Sequence, residues 1–159
     1  MERLTENDNR GKVIPMEMTK ERLEMYRSNN DEIKELRAKL QKMGTEEGKE
    51  KLVESDTIID YRKGYPRPQA VTGYNYSKEQ RLRQRYYSRI EKLQKEQEEI
   101  ERWIFEIEDS KIQRIFRLRY LEGMRQEKIA QEVHMDRSNI SKKVDAYLKV
   151  SHKSQNSHV

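Results

Sequence analysis

SKEQRLRQRYYSRIEKLQKEQEEIERWIFEIE, Ser77 to Glu108, is the stretch on which the fold turns. Ile90, Gln97 and Ile104 stand seven residues apart, and Tyr86, Leu93, Ile100 and Ile107 form a second series at the same spacing. Two interleaved series of this kind are the a and d positions of a heptad, whose 3.5-residue repeat marks a coiled-coil seam. As one helix the segment spans ~48 Å at ~1.5 Å per residue, longer than a small globule needs. Gln97 occupies an a position, where a buried amide weakens the seam but fixes register and partner number. These seven residues are therefore the expected oligomerisation contacts, with a dimer favoured. The alternative is an intramolecular hairpin, because an upstream helix carries its own seven-spaced sets, Tyr26, Ile33, Leu40 and Leu36, Met43.

Working towards the N-terminus, Thr19 is a good N-cap, and Leu23, Tyr26, Ile33, Leu36, Leu40 and Met43 predict a first helix that Asn29 and Asn30 interrupt and Gly44 stops. Residues 1–18 are polar and aperiodic and read as a flexible arm. Residues 19–60 are then a helical segment ending in a linker. Residues 61–76 contain Gly64, Pro66, Pro68, Gly73 and four tyrosines, which predicts a loop rather than a regular helix. That loop interleaves Tyr61, Tyr65, Tyr74 and Tyr76 with Arg62, Lys63 and Arg67. Such a mixture suits stacking on a single strand, but tyrosines folded over the base of the coiled coil are the favoured reading.

Beyond the long helix, Asp109 or Ser110 caps an amphipathic helix bearing Ile112, Ile115, Phe116, Leu118 and Leu121, closed by Gly123. Residues 126–133 place Ile129, Ala130 and Val133 on one face. His134, Met135 and Asp136 make a turn, and a last helix carries Ile140, Val144 and Leu148. Two short helices cross closely only where a small residue sits at the contact, the part that Ala130 can play, so residues 109–150 are expected to be a helix-turn-helix unit. Residues 151–159 read as a disordered tail. The fold class expected is all-α.

On the last helix, Arg137, Ser138, Asn139, Ser141, Lys142 and Lys143 take positions that the apolar residues leave exposed. Arg can pair with guanine and Asn with adenine through two hydrogen bonds each, serine serves base edges or phosphate, and lysine suits phosphate by charge. Arg125 and Gln126 open the preceding helix, where free backbone amides also favour an anion. These eight residues are the candidate DNA contacts; a solvated basic face is the bland alternative.

Charge is consistent with such a partner. Lys plus Arg number 34 against 29 acidic residues in a chain of 159, giving +5 and a pI near 9.3. The sum conceals opposed blocks of −3 for residues 1–60, +8 for 61–95, −6 for 96–109 and +6 for 110–159. Glu96, Glu98, Glu99, Glu101, Glu106, Glu108 and Asp109 form an acidic collar between the two basic regions; it repels phosphate and reads as a solvated face or as a partner for basic residues of another helix.

With 40% charged and 33% hydrophobic residues, one core of ordinary size is not expected. The absence of cysteine excludes disulfides, thiolate zinc sites and cysteine nucleophiles, and three histidines without a partner set argue against a metal centre. No Gly-rich phosphate loop, H-E-x-x-H or G-x-S-x-G occurs, so the expectation is a non-enzyme with no cofactor and no small-molecule ligand. Residues 1–11 hold no apolar run of the signal type and no stretch approaches the ~20 apolar residues of a membrane span, so a cytoplasmic protein without a membrane partner is expected.

The stretch IFRLRYLEGMRQEKIAQEVHMDRSNISKKVDAYLK, Ile115 to Lys149, resembles region 4 of bacterial sigma-70-type factors, in which a similar "LRYLEG…IA…S" pattern forms a promoter-reading helix-turn-helix. The wider arrangement resembles small phage late-gene regulators of the ArpU/RinA type. The resemblance implies a DNA-binding transcription regulator acting in the host cytoplasm, with base and phosphate contacts on Arg137, Ser138, Asn139, Ser141 and Lys142 and backbone contacts on Arg125 and Gln126. RNA polymerase is a further candidate partner. The chain departs from many helix-turn-helix proteins in having His134 and Met135 where a glycine often stands, and it lacks the promoter-melting region of a complete sigma factor. A phage DNA-packaging subunit of the small-terminase kind and a coiled-coil adaptor that binds protein remain as alternatives.

Overall fold

The computed structural model describes residues 17–50 and 52–156. The chain runs through α1 (Lys20–Lys42), α2 (Glu46–Glu50), β1 (Val53–Asp60), β2 (Arg67–Tyr74), α3 (Tyr76–Phe105), α4 (Ser110–Phe116), a π-helical segment (Arg117–Leu121), α5 (Gln126–Val133) and α6 (Arg137–Asn156). The fold is mainly α with one antiparallel two-stranded sheet, so the all-α expectation is corrected by a single ribbon.

Local chemistry explains the helix ends. Thr19 is extended and its hydroxyl accepts from the Arg22 N–H, while Glu21 in the first turn and Lys39 and Lys42 in the last match the helix dipole. Asn75 caps α3 by accepting from the Lys78 N–H, two residues before the expected Ser77. Asp109 caps α4 through the Lys111 and Ile112 N–H groups. The helix α1 passes unbroken through Asn29 and Asn30; Asn29 is buried in its inner stripe.

The seam of α3 is closed within one chain. Leu23, Tyr26, Ile33, Leu36 and Leu40 of α1 are buried and run antiparallel along α3. The polar pairs fix that direction: Arg22 reaches Glu96 and Glu99 at 2.7 Å each, Tyr26 donates to Glu101, Arg89 meets Glu32 at 2.7 Å, and Arg83 Nη1 reaches the Leu40 carbonyl. Glu96, Glu99 and Glu101, three of the seven collar residues, are therefore engaged with α1. Ile33, Leu36, Leu40 and Met43 pack with Ile90 and Leu93, with Leu82 and Tyr86 half-buried beside them. Ile100, Ile104 and Ile107 enter a second cluster with Leu23, Tyr26 and the C-terminal helices. The assignment of Tyr86, Ile90, Leu93, Gln97, Ile100, Ile104 and Ile107 to self-association is accordingly corrected. Ile90, Leu93, Ile100, Ile104 and Ile107 are at most 6% exposed inside a single chain, and Gln97 and Tyr86 are only half-buried. The physical reason is effective concentration: a complementary stripe tethered to the same chain covers the seam first.

Domain boundaries shift for the same reason. The C-terminal cluster includes Met18, Leu23 and Tyr26 along with Ile115, Phe116, Ile129, Val133, Ile140 and Val144, so residues 109–150 are not a free-standing unit. Met18 is 4% exposed and its carbonyl lies 2.7 Å from His152 Nε2. The expectation of a flexible arm is thus corrected at residues 17 and 18, and its remainder falls outside the described residues. α6 continues to Asn156, which corrects the expected tail for residues 151–156; residues 157–159 lie outside the description.

The expected linker holds α2 and the start of β1, and with the expected loop it folds into the ribbon. Val53 pairs with Tyr74 and Asp60 with Arg67 at the two ends of an eight-pair register. Both strands are edges, so Pro68 opposite Ile59 can direct its missing N–H outward without breaking a ladder. Gly64, at φ 81°, closes the turn with its N–H bonded to the Tyr61 carbonyl. Three of the four tyrosines do not fold over the helices, since Tyr61, Tyr65 and Tyr76 are 64%, 56% and 75% exposed, whereas Tyr74 is half-buried and hydrogen-bonded to Glu79 at the base of α3. Among the described residues no helix is long and apolar enough to cross a membrane.

Candidate nucleic-acid interface

The last two helices are joined by a tight turn, residues 134–136. His134 takes the left-handed conformation, φ 53° and ψ 53°, and its N–H bonds the carbonyls at the end of α5. The turn therefore has the geometry for which glycine is usual, achieved by a residue type that tolerates it better than most. The Met135 N–H reaches the Ala130 carbonyl at 2.9 Å, and the Asp136 carbonyl accepts from Asn139 and Ile140 to start α6. Ile129 and Ile140 have no exposure, Val133 and Ala130 are buried, and Met135 is half-buried against them. A shallow depression of about 600 Å³ follows the turn, lined by Gln131, His134, Arg137 and Asn139 among others.

Two polar struts tie the helices across this turn. Gln126 Nε2 donates to Ser141 Oγ at 2.8 Å, and Arg137 Nη1 meets Glu127 at 2.9 Å. Gln126 and Ser141, both expected as DNA contacts, are half-buried and bonded to each other, so their side chains tie α5 to α6. Arg137 remains largely exposed while paired. Arg125 stands exposed at the N-cap of α5 with no side-chain cap bond, leaving the first amides of that helix to an outside acceptor. Ser138, Asn139, Lys142 and Lys143 are exposed on α6. Helical periodicity puts Ser138, Lys142 and Lys149 on the face opposite the buried Ile140, Val144 and Leu148.

Other basic residues were less legible. Arg114 is committed to Glu132 at 3.6 Å and to that residue's carbonyl. Arg117 Nε, Arg119 Nη1 and the Tyr120 hydroxyl are buried without a protein hydrogen-bond partner, where a π-helical turn brings them inward. Burial pushes the Tyr120 phenol up to about 12. Lys20 at the start of α1 reaches Asp145 at 3.4 Å and so masks an acidic group on α6; only the folded proximity of residues 125 positions apart reveals that. Among the described residues no group of three or more His, Asp or Glu side chains could hold a metal ion.

Comparison of the chain with models of known protein families, with curated proteins and with solved structures returned no match in any of the three.

Proposed function

We propose that the chain is a sequence-specific, double-stranded DNA-binding regulator of transcription, in which α5 and α6 act as a helix-turn-helix and α6 enters the major groove. The observation that carries this reading is the division of α6: one stripe is buried, while Ser138, Asn139, Lys142 and Lys143 are exposed together at its N-terminal end. Arg125 and the uncapped start of α5 add an anion-favouring edge beside them. In this reading Asn139 and Arg137 address base edges, Lys142, Lys143 and Arg125 address phosphates, and Gln126 with Ser141 ties α5 to α6. The activity is binding, with no catalytic step and no cofactor. A dimer, should a repeated site require one, would use a surface other than the α3 seam.

The test is binding to duplexes selected from a random pool, followed against salt by fluorescence anisotropy. Lys142→Ala should weaken binding to all sequences and reduce the salt slope by about 1. Asn139→Ala should cost about 1 to 3 kcal/mol at one base position only. Equal losses on selected and random DNA for Asn139→Ala would remove its base-reading role, and no duplex uptake at low salt would overturn the reading altogether.

A further inference from the structure

The ribbon β1–β2 is more than a connection. Its base is anchored by the buried Leu52, whose carbonyl accepts from the Asn75 N–H, and by Glu54, which meets Asn75 at 2.8 Å and Lys78 at 3.2 Å. Beyond that base, residues 53–59 are all exposed, as are residues 61–68. Two isolated strands are marginal in water, yet the tip of this pair is built with care. Asp60, 9% exposed, accepts from both the backbone N–H and Nε of Arg62 at 3.0 Å, and Arg62 Nη2 donates to Gln69 at 3.0 Å. The Arg62 guanidinium is thereby held in one orientation while staying 77% exposed. Lys63 and Arg67 flank it, exposed and without an ion pair among the described residues, and no acidic residue lies between 61 and 67. Tyr61 and Tyr65 stand solvent-exposed on the same turn.

We infer that this tip is a second contact with duplex DNA, an inference that rests on the reading of α6 for the duplex itself. Charge complementarity chooses the partner: three cations on a projecting turn with a preorganised guanidinium match a phosphate backbone. Shape chooses the form, because a two-stranded ribbon fits the major groove. Position gives the span. The C-terminal helices pack on α3 from Ile100 onward, so the stretch from Tyr76 to Ile100 separates the ribbon from them by ~36 Å along the helix axis, or ~11 base pairs at ~3.4 Å each. The chain then grips DNA at two places, with base readout at α6 and an electrostatic hold at the ribbon.

The experiment uses the full chain with Lys63→Ala/Arg67→Ala and, separately, Lys142→Ala, each titrated with salt against a duplex and against a single strand of equal length. Thermal melts verify that both variants remain folded. The tip variant should flatten the plot of log affinity against log salt by about 1.8, two phosphates at ~0.9 each, and Lys142→Ala by about 0.9. An unchanged slope for the tip variant beside a flattened one for Lys142→Ala would overturn the second contact and leave the α6 reading standing. The converse would overturn the α6 reading and keep the ribbon as a DNA site. Tip-dependent preference for the single strand would overturn the duplex assignment, and no binding to either DNA would overturn both.

Discussion

Leu23→Ala should destabilise the protein as though a core residue of the C-terminal unit had been removed, although Leu23 lies more than ninety positions upstream of that unit's turn. Its side chain is 1% exposed and packs in one cluster with Ile100, Ile104, Ile115 and Phe116. Truncating a fully buried leucine loses the transfer energy of the removed carbons plus a cavity term, together about 3 to 4 kcal/mol at such a site. For a chain of this size, each kcal/mol moves the midpoint by about 2 to 4 °C, so Tm should fall by about 6 to 16 °C. Met25→Ala on the same helix, 51% exposed, is the control and should stay within about 0.5 kcal/mol. The assay is far-UV circular dichroism melting at about 2 and about 100 μM protein, because a seam shared between chains makes Tm rise with concentration. A Leu23→Ala loss under about 1 kcal/mol would refute the packing of α1 within its own chain, and a wild-type Tm independent of concentration is the result expected of a seam closed internally.

His134→Gly should stabilise the protein. A left-handed non-glycine residue costs about 1 to 2 kcal/mol, offset in part by the greater freedom of glycine in the unfolded chain, leaving a gain of up to about 1 kcal/mol. A lowered Tm would show that the imidazole makes a stabilising contact larger than the strain. An alkaline transition is expected as well. Burial and the hydrogen bond to Glu101 push Tyr26 up to about 12, and burial does the same for Tyr120, both from an ordinary value of 10. The neutral phenols are favoured in the fold, so this stability is complete below pH 10 and is lost as pH rises towards 12. Phenolate absorbance followed alongside circular dichroism checks it; Tyr26 and Tyr120 ionising near pH 10 with the fold intact would contradict the burial argument.

Much of the candidate site was readable from spacing. The stripe Ile140, Val144 and Leu148 defines which side chains of α6 must be exposed. What spacing could not show was which exposed-position residues had found partners. Gln126 and Ser141 stand on different helices, and nothing local distinguishes them from free contacts; only the crossing angle brings them to 2.8 Å. The ribbon was missed because Gly64, Pro66, Pro68 and Gly73 are turn formers and strand breakers, and the rule against proline applies to central strands, not to a sheet with two edges.

By themselves the residues determined the long helices, the caps Thr19 and Asp109 and the heptad stripe of α3, because each depends on residues within a few turns of one another: Thr19 and Asp109 act on amides two or three positions ahead. The sequence also determined that a stripe so regular must be covered. Tertiary structure alone decided what covers it. Tyr26, Ile33, Leu36 and Leu40 satisfy the same periodicity whether they meet α3 of their own chain or of another, since a hydrophobic seam carries no label of origin. The choice rests on the ribbon, which returns the chain antiparallel so that Arg22 faces Glu96 and Glu99 while Arg89 faces Glu32. Closing the seam internally places the N-terminus of α1 beside α6, where Lys20 meets Asp145 and the Met18 carbonyl meets His152.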